Sequence, residues 1–284
     1  TPKTAYAISA CLVGSEMCIR DRFGRILALI IRYKTISFGS FPRLLSIFYW
    51  PSVQILFWGF FSNFLIENNT TPYIGVLSII LSAVVLWDVL FRGQLGLTMS
   101  FLEEIWSRNL TNLFITPLRE YELVFSLIII SMLRTLIGLT PAIFVANFFF
   151  DFHLFELGFY LIFFFFNLIA IGWSIGFVVS GLVLRYGHSF EELAWAIIFI
   201  LLPFSCVYYP LDSLPFIMQK IAQIFPPVYV FESMRKILID NQVEFQQLYR
   251  IIILNFTYLL LSVLFFLKMI SSSRKKGLLI NQGE

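Results

Sequence analysis

The sequence predicts an all-α integral membrane protein, and three observations carry this prediction. Hydrophobic residues make up 59% of the 284 residues, charged residues only 13%, and the mean hydropathy is +0.85. Six apolar runs are long enough to form spanning helices, which need about 20 apolar residues each. Lysine and arginine are distributed unevenly among the connections between these runs. A soluble domain of this size does not sustain such a balance of apolar and charged residues.

The N-terminal segment differs from the rest of the chain. Residues 1–22, TPKTAYAISACLVGSEMCIRDR, resemble a translated sequencing adapter, and their apolar part is too short to span a membrane. We therefore expect residues 1–22 to be non-native and residues 23–284 to form a single membrane domain. The next residues, FGRILALIIRYK, predict an N-terminal helix in the membrane interface, with its basic groups toward anionic headgroups. The alternative is a basic flank that only enforces topology.

The apolar runs give the predicted topology. They cover residues 44–65, 73–90, 123–150, 157–184, 190–209 and 249–270. If the N-terminus is cytoplasmic, the inner segments, counted from Arg22 and including Lys268 at the inner end of the last run, hold thirteen lysine and arginine residues, and the outer segments hold three. Cytoplasmic connections are enriched in these residues, so both termini are predicted to be cytoplasmic.

A mixed polar and apolar segment, residues 92–122, separates the second run from the third. Glu103 and Glu104 suit the first turn of a helix, where acidic groups are favoured, and Pro117 would end it. The residues Trp106, Leu110, Leu113 and Phe114 follow at spacings that form one apolar edge, with Arg108, Asn109 and Asn112 as polar neighbours. The segment therefore predicts either a helix that docks against a partner or one that lies on lipid headgroups. Paired acidic residues fit an anionic leaflet poorly, which favours docking.

Residues 210–243, before the last run, are too polar and proline-rich to span, yet too apolar for a free loop. Asp212 or Ser213 can cap a first short helix, a pair of prolines breaks it, and residues 228–239 predict a second, amphipathic helix. Such a re-entrant pair can dip into the outer leaflet as a lid, or it can form a surface hairpin on lipid. Glu232 and Arg235 would then form only a local surface ion pair. The predicted lid residues are Leu214, Pro215, Pro226, Pro227, Glu232 and Arg235.

Several polar side chains lie within the apolar runs, namely Gln54, Asp88, Arg92, Arg134 and Asn167. A charge at the depth predicted for Arg134 is costly and usually faces protein or water. These groups either line a transport path or make interhelical hydrogen bonds, as buried polar groups in helix bundles usually do. The small residues Gly172, Gly176 and Ser180 predict a close helix contact, within or between subunits.

Catalytic and metal-binding patterns are missing from the sequence. The cysteines and histidines have no metal-ligand spacing, and the chain contains no G-x-x-x-x-G-K-[ST] phosphate loop. We therefore predict no metal site, no bound cofactor and no enzyme activity of this chain alone.

The order of these segments resembles the permease subunit of ABC type-2 exporters. The resemblance rests on LWDVLFRGQ at 86–94, FLEEIWSRNLTNLFITPLREYE at 101–122, and YPLDSLPFIMQKIAQIFPPVYVFESMRKIL at 209–238. It implies a dimer of membrane subunits, each bound to a cytoplasmic ATPase subunit that binds ATP and Mg²⁺. It also implies a coupling helix, here at about residues 100–118. The implied docking residues are Glu103, Glu104, Trp106, Arg108, Asn109, Leu110, Leu113, Phe114 and Pro117.

The expected function is therefore export of a substrate across a bacterial inner membrane, driven by a separate ATPase subunit. The second permease subunit would be an identical chain or a close paralogue. Abundant aromatic residues suit an amphipathic, drug-like or lipid-linked substrate, but lipid contact explains them equally well. The alternative is an ATP-independent secondary transporter or channel, for which midplane carboxylates or paired broken helices are typical.

Overall fold

The fold is described from a computed structural model, which covers residues 22–68, 76–116, 118–152, 158–240 and 244–275. The adapter-like segment therefore lies outside the described residues, apart from its last position. Within these ranges the chain is helical, with no strand, and two single-turn 3₁₀ helices occur at His188–Phe190 and Leu211–Ser213. The α-helices are α1 (Arg22–Phe38), α2 (Phe41–Asn68), α3 (Val76–Trp106), α4 (Leu110–Ile115), α5 (Glu120–Phe150), α6 (Phe159–Tyr186), α7 (Leu193–Phe204), α8 (Phe216–Ala222), α9 (Pro226–Asp240) and α10 (Phe245–Lys275).

Five of the described helices are long and apolar enough to cross a membrane: α2, α3, α5, α6 and α10. Each has 28 to 31 residues, which corresponds to about 42–47 Å at 1.5 Å per residue. This exceeds the hydrocarbon thickness of about 30 Å, so these helices tilt or extend beyond it. The chain is thus a multi-pass helical membrane protein.

The run predicted as the fifth of six spans, residues 190–209, forms a shorter helix than expected. Its helix, α7, has 12 residues, or about 18 Å, so the six-span pattern is not confirmed. Pro203 lies in the last turn of α7, and Cys206 has a left-handed backbone with φ of 52°. Cys206 ends the helix, because a left-handed residue reverses the chain. Pro203 weakens the last turn, because proline has no N–H group to donate to the carbonyl oxygen four residues earlier.

The second predicted span, by contrast, is longer than expected. It was assigned to residues 73–90, but α3 continues without a break to Trp106. The mixed composition from residue 92 onward predicted a connection there, but Gln94 and Thr98 of that segment are fully buried, and Gln94 Nε2 donates to Thr98 Oγ1 at 3.2 Å. The prediction of one coupling helix over residues 100–118 is therefore wrong, because that segment comprises the end of α3, a turn and α4.

Helix α3 lies at the centre of the bundle, where it packs against α5 and α6. Gly172 and Gly176 of α6 face α3, and a Cβ atom added at Gly172 would lie 2.6 Å from the carbonyl oxygen of Leu90. Gly93 of α3 makes the reciprocal approach to Ile169. The small-residue ridge predicted in α6 therefore brings two helices of the same chain together.

The two ends of the bundle have different structures. We call one the α1 end, which holds α1, α4 and the C-terminal turn of α10, and the other the α9 end, which holds α8 and α9. Helix α1 packs against α5 through buried Leu29 and Tyr33, whereas Phe23, Leu27 and Ile31 form an exposed apolar stripe. This arrangement suits the predicted interfacial helix.

Candidate functional site

The connection between α3 and α4 is a tight turn at the α1 end, and we call its residues 106–109 the elbow. Arg108 adopts a left-handed conformation with φ of 52°, which non-glycine residues adopt rarely. The N–H group of Asn109 donates to the carbonyl oxygen of Glu104 at 3.0 Å. The elbow thus has a defined geometry, with α4 held close to the end of α3.

Glu104 joins the elbow to α1. Its Oε2 atom accepts hydrogen bonds from Arg32 Nη2 at 2.8 Å and from Asn109 Nδ2 at 2.9 Å, and its side chain is fully buried. Tyr33 lies beside it, and burial together with the Glu104 carboxylate raises the pKa of Tyr33 well above its usual range. Displacement of the elbow would therefore disturb α1 directly.

A second buried carboxylate, that of Glu122, fixes α1 to the start of α5. Arg25 binds it through two nitrogens, at 2.6 Å and 3.0 Å, in a bidentate pair. The N–H group of Arg119 also donates to Glu122, as in a helix cap. The expectation that basic groups of α1 face lipid headgroups is thus wrong for Arg25 and Arg32, which bind carboxylates of the protein. Lys34 is exposed and remains available to headgroups.

The outward surface of the elbow contains one large aromatic side chain. Trp106 is 49% exposed, and its Nε1 atom donates to Glu191 Oε1 at 2.7 Å. Ser107, Arg108 and Asn112 are exposed beside it. This surface combines an aromatic ring with charged and amide groups, a composition that is typical of protein-binding hot spots.

The other predicted docking residues are divided between surface and interior. Leu110 and Leu113 are buried in the apolar core at the α1 end, and Phe114 is partly buried against it. Glu103 and Asn109 are of intermediate exposure, whereas Pro117 lies outside the described residues. The single apolar edge inferred from spacing does not form, because the turn at the elbow points α4 in a new direction.

A groove of about 750 Å³ opens between α2, α3, α5 and α7. Its walls are rich in aromatic side chains, and four of the polar residues singled out in the sequence line it. The aromatic residues are Trp50, Phe57, Trp87, Phe91, Trp195 and Phe199, and the polar ones are Gln54, Asp88, Arg92 and Arg134. A pocket of this size with a few convergent polar groups is the usual form of a small-molecule site.

The charged residues of the groove are held by neighbouring groups. Asp88 Oδ2 accepts a hydrogen bond from Arg92 Nε at 2.5 Å, and Arg134 Nη1 donates to Ser100 Oγ at 3.1 Å. The Arg92 side chain packs on Gly138 of α5, where a Cβ atom would lie 2.5 Å from Arg92 Nη1. These contacts stabilise the α3–α5 interface, and the same side chains form one wall of the groove.

Asn167, the fifth polar residue predicted for a path, does not line this groove. Its Oδ1 atom accepts a hydrogen bond from Asn255 Nδ2 at 2.9 Å, and its own amide donates to the carbonyl oxygen of Phe163. It therefore links α6 to α10, which agrees with the interhelical alternative. Asn255 was not among the predicted polar residues, although a lone amide in an apolar run is a usable signal.

The predicted lid residues lie at the α9 end, and four of the six belong to α9 itself. Pro226 and Pro227 begin α9 rather than only breaking the preceding helix, as proline is tolerated in a first turn. Leu214 and Pro215 form the extended link between the 3₁₀ turn and α8.

Glu232 and Arg235 form a partly buried cluster, with Arg235 buried and Glu232 of intermediate exposure, and not the surface pair considered from the sequence. Arg235 Nη1 donates to Glu232 Oε1 at 2.8 Å, and Nη2 donates to the carbonyl oxygens of Cys206 and Val207, the latter at 2.9 Å. Glu232 also accepts the N–H group of Leu211 at 2.9 Å. The pair thus satisfies backbone groups that the end of α7 leaves open, as any irregular backbone at membrane depth requires.

Neither a scan against protein-family models nor a search of curated proteins returned a match to this chain. The fold and the site therefore define its class on their own. It is a polytopic helical membrane protein with an aromatic, polar groove beside its central helix and a structured elbow at the α1 end.

Proposed function

We propose that this chain is the permease subunit of an ABC exporter of the type-2 class. One observation carries the proposal, namely that the elbow and the groove share one helix. Asp88 and Trp106 are 18 residues apart on unbroken α3, about 27 Å along the axis. A force applied at the elbow can therefore be transmitted to the groove by a rigid element.

The partner in this proposal is a cytoplasmic ATPase subunit that binds the elbow. The exposed face of Trp106 would enter a cleft of the partner, with Arg108 and Asn112 as polar contacts. The hydrogen bond between Glu104 and Arg32 lies beneath this docking surface, and it would transmit movement of the elbow to α1. ATP and Mg²⁺ would bind the ATPase subunit and not this chain.

The proposed topology retains six membrane crossings and cytoplasmic termini in a bacterial inner membrane. Helix α7 would reach part of the way across, and the turn after it would complete the crossing with its backbone groups bound by Arg235. The α1 end would face the cytoplasm, because the elbow must be accessible to the ATPase. Helices α8 and α9 would then form the outer lid.

The groove is the proposed path, completed by a second permease subunit. Of the α2 spanning segment, only 22% is buried within this chain, and Phe57, Phe60 and Phe64 are exposed. A second copy or a close paralogue would cover part of this face. Aromatic walls with Asp88 and Arg92 suit an amphipathic, drug-like or lipid-linked substrate.

Co-purification with the ATPase subunit tests the proposal. Membranes are solubilised from the source cells, or from a host that expresses the chain together with its neighbouring genes. The tagged chain is then recovered, and the ATPase activity that is recovered with it is measured. Arg108→Glu is expected to lower recovered activity at least tenfold, because it reverses charge on the docking surface. Lys34→Glu is the matched control at the same end, since Lys34 is equally exposed but lies on α1, and it should leave recovery unchanged.

The result that would overturn the proposal is transport by the purified chain alone. The buried Asp88–Arg92 pair in the groove is the observation that favours an ATP-independent transporter. If vesicles containing only this chain move solute along an ion gradient, and Asp88→Asn abolishes that movement, the alternative is correct.

A further inference from the structure

A second cavity lies on the opposite side of α3 from the groove, and the residues that line it differ in charge from those that line the groove. It has a volume of about 600 Å³, is open on one side, and is bordered by α3, α6, α7, α10 and the first turn of α9. Among the residues that the structure describes, its lining contains no charged side chain, whereas the groove has three. The proposed function assigns no role to this cavity.

The serine hydroxyl groups of its lining already donate hydrogen bonds within the protein, so they are poor donors for a polar ligand. The hydroxyl groups of Ser174, Ser205 and Ser262 each donate to a carbonyl oxygen of their own helix, at 2.9, 2.8 and 2.9 Å. Water needs two or more polar partners to occupy a cavity stably. An apolar ligand is therefore the occupant that fits this lining.

The location indicates where such a ligand comes from. Leu90, Ile171 and Leu261 line the cavity and belong to three of the helices that are long and apolar enough to cross a membrane. Leu261 is also 63% exposed, so the cavity wall continues into the outer surface of the bundle. At this depth the surrounding medium is lipid and not water.

The shortness of α7 explains why a space exists there. At about 18 Å, α7 cannot fill a hydrocarbon layer of about 30 Å. Pro226 and Pro227 at the start of α9 close the cavity beyond the end of α7. An extended apolar chain can occupy the remaining width, and the volume lies within the range of about 300–1,000 Å³ that is usual for ligand pockets.

We propose that this cavity binds one acyl chain of a membrane lipid, which packs between α7 and α10 against the start of α9. The bound chain replaces the missing length of α7 and supports the position of α9. This inference does not depend on an ATPase partner, because it uses only the lining and its lipid surroundings.

Photolabelling of the full chain tests the proposal. The protein is reconstituted in phosphatidylcholine vesicles that contain a trace of phospholipid with a diazirine in one acyl chain, and labelled residues are identified by mass spectrometry. We expect label on Ser174, which is only 4% exposed, as well as on exposed surface residues such as Phe166. Label on Phe166 without label on residues 171–178 would overturn the proposal, because it would show lipid only at the outer surface.

A substitution that fills the cavity distinguishes a bound acyl chain from incidental contact with lipid. Ile175→Trp adds volume inside the cavity and is expected to reduce labelling of Leu201 at least fivefold. Phe166→Trp, on the exposed face of the same helix, should not change it. If Ile175→Trp does not fold, Ile197→Trp fills the same space from α7.

The occupant itself is decided by competition. Unlabelled phospholipid should reduce labelling of Ser174 in proportion to its mole fraction. If an amphiphilic drug carrying the same diazirine labels Ser174 at micromolar concentration and the phospholipid does not, the cavity is a drug site and the lipid proposal is wrong. Equal labelling of Leu201 in the Ile175→Trp and Phe166→Trp proteins would also refute it.

Discussion

Removing the guanidinium of Arg235 should destabilise the α9 end more than any nearby surface change. Arg235→Ala leaves the carbonyl oxygens of Cys206 and Val207 without this donor and leaves Glu232 with one partner fewer. Each orphaned buried group costs about 1–3 kcal/mol, and breaking a buried charge pair costs about 3–5 kcal/mol. Because these terms overlap, we expect a total loss of about 3–5 kcal/mol in the free energy of unfolding.

The measurement is reversible unfolding of the purified chain in mixed micelles. Lys236→Ala is the matched control, because the neighbouring Lys236 pairs with Glu244 at 2.5 Å but both side chains are largely exposed, at 37% and 48%. Exposed pairs contribute at most about 1 kcal/mol. If Arg235→Ala costs no more than Lys236→Ala, Arg235 does not support the end of α7, and the reasoning fails.

Four further changes test other parts of the fold. Glu104→Gln weakens the charged hydrogen bond from Arg32, so trypsin should cleave at the elbow several-fold faster; an unchanged cleavage rate would contradict the α1–elbow link. Gly172→Val places new atoms within 2.6 Å of a backbone oxygen, and a loss of at least about 1–3 kcal/mol is expected in the same unfolding assay, whereas no loss would contradict close α3–α6 packing. Asn255→Leu removes one interhelical hydrogen bond and should cost only about 0.6 kcal/mol in that assay. Arg134→Leu should lower the amount of assembled complex, by size-exclusion chromatography, more than transport per complex; the reverse would favour a role in the path.

Local features of the sequence were sufficient to predict the class and most helices. The predicted spans at 44–65, 123–150 and 249–270 lie within α2, α5 and α10, and the predicted span at 157–184 overlaps α6, which begins at Phe159 and ends at Tyr186. The two short helices before the last span were also predicted, and they form as α8 and α9. These features depend on apolar run length and on proline positions, which are properties of neighbouring residues.

The errors arose where polar residues are satisfied by distant partners. Glu104 looked like a surface residue near a helix start, but its partner Arg32 lies 72 positions away. A polar side chain looks the same in sequence whether it meets water or a buried partner, so exposure could not be predicted there.

The sequence alone determined that this is a helical membrane protein, because 59% apolar composition and long apolar runs leave no other way to satisfy the backbone in lipid. It also identified the small-residue ridge and the polar groups within the spans. Only the tertiary structure decided that the ridge of α6 packs on α3, that four polar groups share one groove, and that Arg235 completes the end of α7. These are contacts between residues far apart in the chain, and they depend on how the helices are placed against one another.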